Sequence, residues 1–387
     1  MNFKLKQYVG ISDDLNFLYI TSDSRMIEFA LLQQFEDEQE YLISLMRRRK
    51  EQIRTRNDFE NAAVPEPSQS PWASLIKYGS DQAFINILGV DRAGFRLLAS
   101  KFKNYYRHKF REGRGGRPAK VLFVQALGMV LQFYTAPIEI KTLGQMHGVR
   151  RSKATEILQK AEIAFSKTLK HEPLARIAWP DHETQREWAG WVEAKYPTVK
   201  GRFCFVDGKN FNVYEPSESD LQNAMYNGWL HSALITGVLC YGVDGTLIWG
   251  KHNIVGSWND GDMCRDLIIK LIDPAKTLPD HGAVADTAFP RTRDLLAKIM
   301  TPLKEGEIER ANPADQGFML RQSAALTSLR QACEWGMGSA PKAFRQLQLP
   351  LPFNQNTRQM RLHNIFRLYN FRVRTTGISQ IKTTFNA

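Results

Sequence analysis

Residues 202–216 read RFCFVDGKNFNVYEP. Four apolar residues, Phe203, Cys204, Phe205 and Val206, run directly into an acid, Asp207, and a glycine, Gly208. A short apolar run rich in aromatic and β-branched residues, closed by turn-forming residues, predicts a buried strand. The turn formers at 208–210 predict a hairpin, with 202–208 as one strand and 211–216 as the next. Downstream, SALITGVLCYG (232–242) and TLIWGKHN (246–253) have the same character, and HGAVAD (281–286) is a shorter buried strand ending in Asp286. Residues 263–272, 291–300 and 321–337 carry helical periodicity, and glycines and Pro341 are expected to stop the last of these. Strands first, then strand and helix in alternation, predict an α/β domain on a mixed sheet flanked by helices.

Upstream of 180 the periodicity is helical. Residues 26–58 predict one long polar helix carrying Arg47, Arg48, Arg49 and Lys50, which suits either a nuclear-import signal or a solvated face. AAVPEPSQS (62–70) reads as a linker. From 72 to 169 short helices follow one another, including a strongly apolar one over 121–134 that Pro137 stops. Residues 139–165 have a helix-turn-helix rhythm. Gly148 supports the turn, Ser152 is placed to cap the second helix, and Ala154, Ile157, Leu158 and Ala161 line its buried side. Arg150, Arg151 and Lys153 then face outward, where phosphates or base edges would be met, although any small helical bundle produces the same pattern. The expected organisation is a helical segment and linker (1–71), an all-helical DNA-binding region (72–175), an α/β nuclease domain (176–345) and a basic C-terminal tail (346–387).

Charge narrows the function classes. Of 387 residues, 52 are Lys or Arg against 40 Asp or Glu, a net charge of +12, which favours a polyanionic partner such as DNA. The cations cluster. Residues 101–120 hold eight Lys or Arg, among them Lys101, Lys103, Arg107, Lys109, Arg114 and Arg117, interleaved with aromatic rings that suit a nucleic-acid backbone. Arg114-Gly-Gly-Arg117-Pro118 has the look of a minor-groove arm or of a plain flexible basic loop. From Trp335 to the last residue there is no acid at all, which points either to a DNA-backbone surface or to a packed cationic segment. The cysteines number four, with no C-x-x-C pair, so zinc and redox motifs are not suggested and a reducing compartment, cytosol or nucleus, is expected. Residues 1–10 lack the apolar core of a secretory signal, and no apolar run reaches the ~18 residues of a membrane span, so a soluble protein with no membrane partner is expected.

The chemistry resides in three acids. A carboxylate after a buried strand is unfavourable unless it is exposed at the sheet's end, paired, or bound to metal. Functional groups in open α/β sheets gather at the carboxyl ends of strands, where Asp207 and Asp286 fall. Taken singly, each is equally a turn aspartate. Glu334 lies in the apolar helical run Ala332-Cys333-Glu334-Trp335 and either pairs with Arg330 one turn back or joins the two aspartates. Three converging carboxylates would hold two divalent ions, magnesium or manganese, for phosphodiester chemistry.

Taken together, Val206-Asp207-Gly208, Gly256-Ser257-Trp258-Asn259-Asp260, Ala285-Asp286-Thr287-Ala288-Phe289-Pro290, Thr301-Pro302, the segment from Arg330 through Glu334 to Met337, and Leu362-His363-Asn364 resemble the Harbinger-type transposases and their domesticated nuclease relatives. The resemblance spans roughly 70–385. It implies an RNase H-like fold, a DDE triad of Asp207, Asp286 and Glu334, DNA cutting with or without strand transfer, a separate Myb-like DNA-binding partner protein, and a nuclear location. The sequence leaves the oligomeric state open. It also leaves open a domesticated DNA-binding or assembly protein that no longer cuts, and an RNA-cutting enzyme using the same acids. Asn259 stands where the family usually has histidine. Asp260 contacts DNA, orients a ligand or, by default, caps a helix.

Overall fold

The computed structural model describes residues 22–54, 63–106, 121–228, 230–256, 258, 263–289, 295 and 297–385. The chain divides into two compact units, residues 1–58 and 59–387. In the first, α1 (Ser22–Arg54) is a single helix of 33 residues.

The second unit is built around β1 (Arg202–Asn212), one unbroken 11-residue strand. No hairpin forms at 208–210: Gly208 pairs with Val238, Lys209 with Gly237 and Asn210 with Thr236. The antiparallel partner is β3 (Ser232–Gly242), and the ladder to it runs through the turn formers that suggested a hairpin. Local turn propensity is worth less than a continuous ladder with a fully buried strand. On its other side β1 pairs in parallel with β5 (Gly282–Ala285), and β5 pairs in parallel with β6 (Ile299–Met300). Sequence periodicity placed 299–300 in a helix; here they are strand, because their alternative is an unpaired sheet edge beside β5. β4 (Leu247–Val255) and the short β2 (Tyr226–Asn227) pair with β3, giving a six-stranded mixed sheet.

Helices cover the sheet. α8 (His182–Lys195) sends Trp188 against Gly242, and α9 (Ser219–Met225) and α10 (Arg265–Ile272) follow in the connections. α11 (Pro313–Ala343) runs 31 residues, straight through the glycines and Pro341 that were expected to end it. A Cβ on Gly336 would meet the Tyr241 ring at 2.8 Å, so glycine there lets the helix lie directly on the sheet. Burial of Met337, Ala340 and Phe344 offsets the amide that Pro341 removes.

A helical layer precedes the sheet in sequence: α2 (Pro71–Tyr78), α3 (Asp81–Leu88), α4 (Arg92–Tyr105), α5 (Phe123–Thr135), α6 (Ile140–Met146) and α7 (Arg151–Lys170). α5 is buried over residues 125–135 and forms the middle of this layer. α6 and α7 are joined by residues 147–150, where Gly148 adopts φ +65° and packs against Pro65 and Pro67. The segment before α2 is thus partly docked, and Ser70 is buried as the N-cap of α2. α7 has Arg150 at its N-cap with no side-chain cap, so Ser152 does not cap it.

The C-terminal segment is not a free basic tail. It folds as α12 (Gln355–Thr376) and α13 (Gln380–Phe385), and Leu362, Ile365, Phe366, Leu368, Tyr369, Phe371 and Val373 are core residues. Arg358, Arg361, Arg372 and Arg374 are turned to internal acceptors. Arg358 bonds Asn253 and the carbonyls of Pro352 and Phe353, Arg361 chelates Glu162, and Arg372 donates to Gly89 O. The aromatics interleaved with the arginines mark a buried helix, and a buried guanidinium needs acceptors to satisfy its donors.

Candidate active site

The strand register places the first two acids. Val206 of β1 lies opposite Ala285 of β5 in a parallel pair, and each is followed by an aspartate, Asp207 and Asp286. Asp286 therefore leaves the carboxyl end of β5, while Asp207 stands within β1, at the point where its parallel pairing with β5 ends and its antiparallel pairing with β3 continues. Asp207 accepts the Gly208 amide at 2.8 Å; Asp286 accepts the Thr287 amide at 2.6 Å and the Thr287 hydroxyl at 3.3 Å. Each carboxylate thus accepts the amide of the residue that follows it.

α11 supplies the third acid and an unforeseen connection. Arg330 donates to Asp286 Oδ1 at 3.1 Å and lies 3.6 Å from Glu334 Oε1, so one guanidinium spans both acids. The pair one helical turn apart is legible in the sequence. The link from Arg330 to Asp286, 44 residues away, is not, because no local spacing encodes it. Asp286 and Arg330 side chains are about one-third exposed (32% each) and that of Glu334 is 60% exposed, so all three reach solvent.

Oxygen donors converging on a cation are what a divalent metal requires, and Asp286 and Glu334 already share one. Carboxylate oxygens are hard donors, the kind that magnesium or manganese would take. Among the described residues, no three acid, histidine or cysteine side chains form a group that could hold one ion.

The basic residues sort differently. Lys101 is tied at 2.5 Å to Glu172, a buried carboxylate, and so neutralises an internal charge. Lys103 is exposed and lies 5.9 Å from the Phe123 ring centroid. Arg107, Lys109, Arg114 and Arg117 lie outside the described residues, as do Ser257, Asn259 and Asp260. Arg150, Arg151 and Lys153 are exposed at the start of α7. Lys153 and Lys160 both bond Glu156, whose carboxyl they hold down to about 2, so part of this positive face is internally compensated. Lys251 pairs with Asp266 at 2.8 Å. His252 lines a cavity of about 180 Å³ between β4 and α12 with His363 and Arg367. Burial of its ring and the neighbouring His363 push its pKa down to about 3.

Residues 206–370 match the family described as DDE superfamily endonuclease. The match opens at Val206, one residue before Asp207, closes at Asn370 within α12, and encloses Asp286 and Glu334. It covers less than half of the chain. No curated protein matches the chain, and no solved structure does. The class is thus an α/β chain with a mixed six-stranded sheet, helical cover and a region similar to the DDE superfamily endonucleases.

Proposed function

We propose that this chain is a metal-dependent DNA endonuclease or transposase of the Harbinger type, with an RNase H-like sheet and a DDE triad of Asp207, Asp286 and Glu334. One observation carries the reading. The parallel register of Val206 with Ala285 is followed on each strand by an aspartate, Asp207 within β1 and Asp286 just past β5, and Arg330 ties the second of them to Glu334. Acids that are ordinary in isolation gain weight as a candidate site when register and an ion pair relate them to one another. Two divalent ions bound there would activate a water or 3′-hydroxyl and stabilise the leaving oxygen. The protein's own part is to present hard carboxylate oxygens from a rigid sheet, with Arg330 holding Asp286 and Glu334 together at one positive charge. DNA is the substrate, and the exposed cations Lys103, Arg150, Arg151 and Lys153 are candidates for its backbone, together with Lys101, Arg107, Lys109, Arg114 and Arg117 of the basic segment. A Myb-like partner protein and a nuclear location belong to the same reading.

The test is nicking of supercoiled plasmid DNA in magnesium, with and without chelator, beside an RNA–DNA hybrid of the same sequence. Cutting of the duplex that chelator abolishes and that Asp286→Asn removes supports the proposal. Cutting of the hybrid alone makes the enzyme an RNA nuclease. A second reading, a DNA-binding or assembly protein that does not cut, draws on the same arginine: Arg330 already neutralises the acids that a metal would need. That protein binds duplex DNA and leaves both substrates intact.

A further inference from the structure

α1 exposes an apolar surface that nothing in the nuclease reading uses. Phe29, Leu31, Leu32, Phe35, Leu42, Leu45 and Met46 all lie open, Met46 at 70% exposure. A helix of 33 residues is about 50 Å long, and such helices draw their stability mainly from burying one face. One stripe has a regular period. Leu31, Phe35, Glu38, Leu42, Leu45 and Arg49 succeed one another at steps of four and three, the seam of a two-stranded coiled coil. Between Leu31 and Arg49 the seam is apolar except at Glu38 and Arg49, and the same steps run on to the polar Glu28 and Gln52, the latter facing Phe35 in the antiparallel register below.

Glu38 and Arg49 choose both the partner and its direction. Beside a second copy in parallel, Glu38 would face Glu38 of that copy and Arg49 would face Arg49, two like-charge contacts at a seam. In an antiparallel pair with its two-fold axis between Ile43 and Ser44, Leu42 faces Leu45 of the second copy and Glu38 faces Arg49 of the second copy, twice over. The charge along the helix agrees. Glu36, Asp37, Glu38 and Glu40 precede the midpoint and Arg47, Arg48 and Arg49 follow it, so antiparallel copies set acid beside base. An anionic membrane surface would attract only the second half and repel the first.

We propose that α1 is a self-association element through which two copies of this chain pair as an antiparallel two-helix coil, with Leu42 on Leu45 and Glu38 against Arg49 of the second copy. The pairing is independent of whether the chain cuts DNA.

Sedimentation velocity on the full chain at micromolar concentration tests it. The wild-type chain sediments as a dimer. Glu38→Arg and Arg49→Glu each weaken the dimer by at least about tenfold, and the double variant Glu38→Arg/Arg49→Glu restores it, as does mixing the two single variants. Direction is read by disulfide trapping under mild oxidation. Chains with Leu42→Cys crosslink to chains with Leu45→Cys, whereas Leu42→Cys chains alone crosslink no more than wild type. A monomeric wild-type chain, a dimer indifferent to both charge reversals, or self-crosslinking of Leu42→Cys chains overturns the proposal. So does a wild-type monomer that co-sediments with phosphatidylserine vesicles.

Discussion

Glu162 and Glu334 each sit beside an arginine on a helix, yet the two pairs serve opposite ends. Glu162 of α7 is enclosed. It is 2% exposed, Arg361 of α12 grips it through two bonds of 2.9 and 3.1 Å, and the Tyr134 hydroxyl donates to it at 2.9 Å. Asn364 closes the network by donating to Glu162 O and to the Tyr134 oxygen. Glu334 has one arginine at 3.6 Å and open solvent around it. The first pair fastens the helical layer to the C-terminal helix, and its charges are committed. The second leaves its carboxylates free to exchange a guanidinium for another cation, which a buried network could not do without unfolding. Pairing alone does not distinguish a structural from a functional carboxylate; exposure and the number of partners do.

Four expected outcomes sharpen or break that contrast. The largest is catalytic. Asp207→Asn, Asp286→Asn and Glu334→Gln each lower metal-dependent nicking by about a thousandfold, the several kcal/mol a bound metal contributes to developing charge, with melting temperatures near wild type. A triad variant that keeps full activity removes its acid from the site. Next is the buried pair. Glu162→Leu or Arg361→Met alone destabilises by about 3–5 kcal/mol in urea unfolding, because one charge stays buried without its partner, whereas the double variant recovers most of the loss. If the single variants are neutral, Glu162 is not a fastener.

Acid provides the third test, at the buried His147. Burial pushes its pKa from the ordinary 6.5 down to about 3, its ring stacks on Trp72, and Nε2 lies 2.9 Å from Gln132 Oε1. Below pH 6.5 the unfolded chain binds a proton there that the folded chain refuses until about pH 3, so stability is unaffected above 6.5 and falls as pH drops through this window. The expected slope from this group is about 1.4 kcal/mol per pH unit, read from denaturant midpoints at stepped pH, and His147→Gln flattens the profile. The smallest effect belongs to Arg330→Gln, which shifts stability by less than about 1 kcal/mol since its partners are solvent-exposed. A shift as large as that of Arg361→Met would make the site pair structural after all.

Much of this was legible in advance because it is local. The apolar runs at 202–206, 232–242 and 281–285 lie in strands, and of the two acids that follow such runs Asp286 comes just after its strand while Asp207 is carried inside β1. Where local signals competed with long-range partners, they lost. Asp207-Gly208-Lys209-Asn210 carries turn chemistry, yet β3 pairs across it; Pro341 carries a stop signal, yet core contacts extend α11 past it. The arginines after 355 were readable as a cationic surface only while their acceptors, Glu162, Asn253 and Gly89 O, were unknown.

The sequence by itself determined the α/β alternation, the positive charge and which three acids follow or interrupt apolar runs, since hydrophobic period and residue type are properties of neighbours along the chain. Only the tertiary structure decided that β1 is a single strand between an antiparallel and a parallel partner, that Arg330 reaches Asp286, and that Arg361 is spent on Glu162. Those pairings join residues tens to hundreds of positions apart, and their energy depends on burial and solvent access, which exist only once the chain has folded.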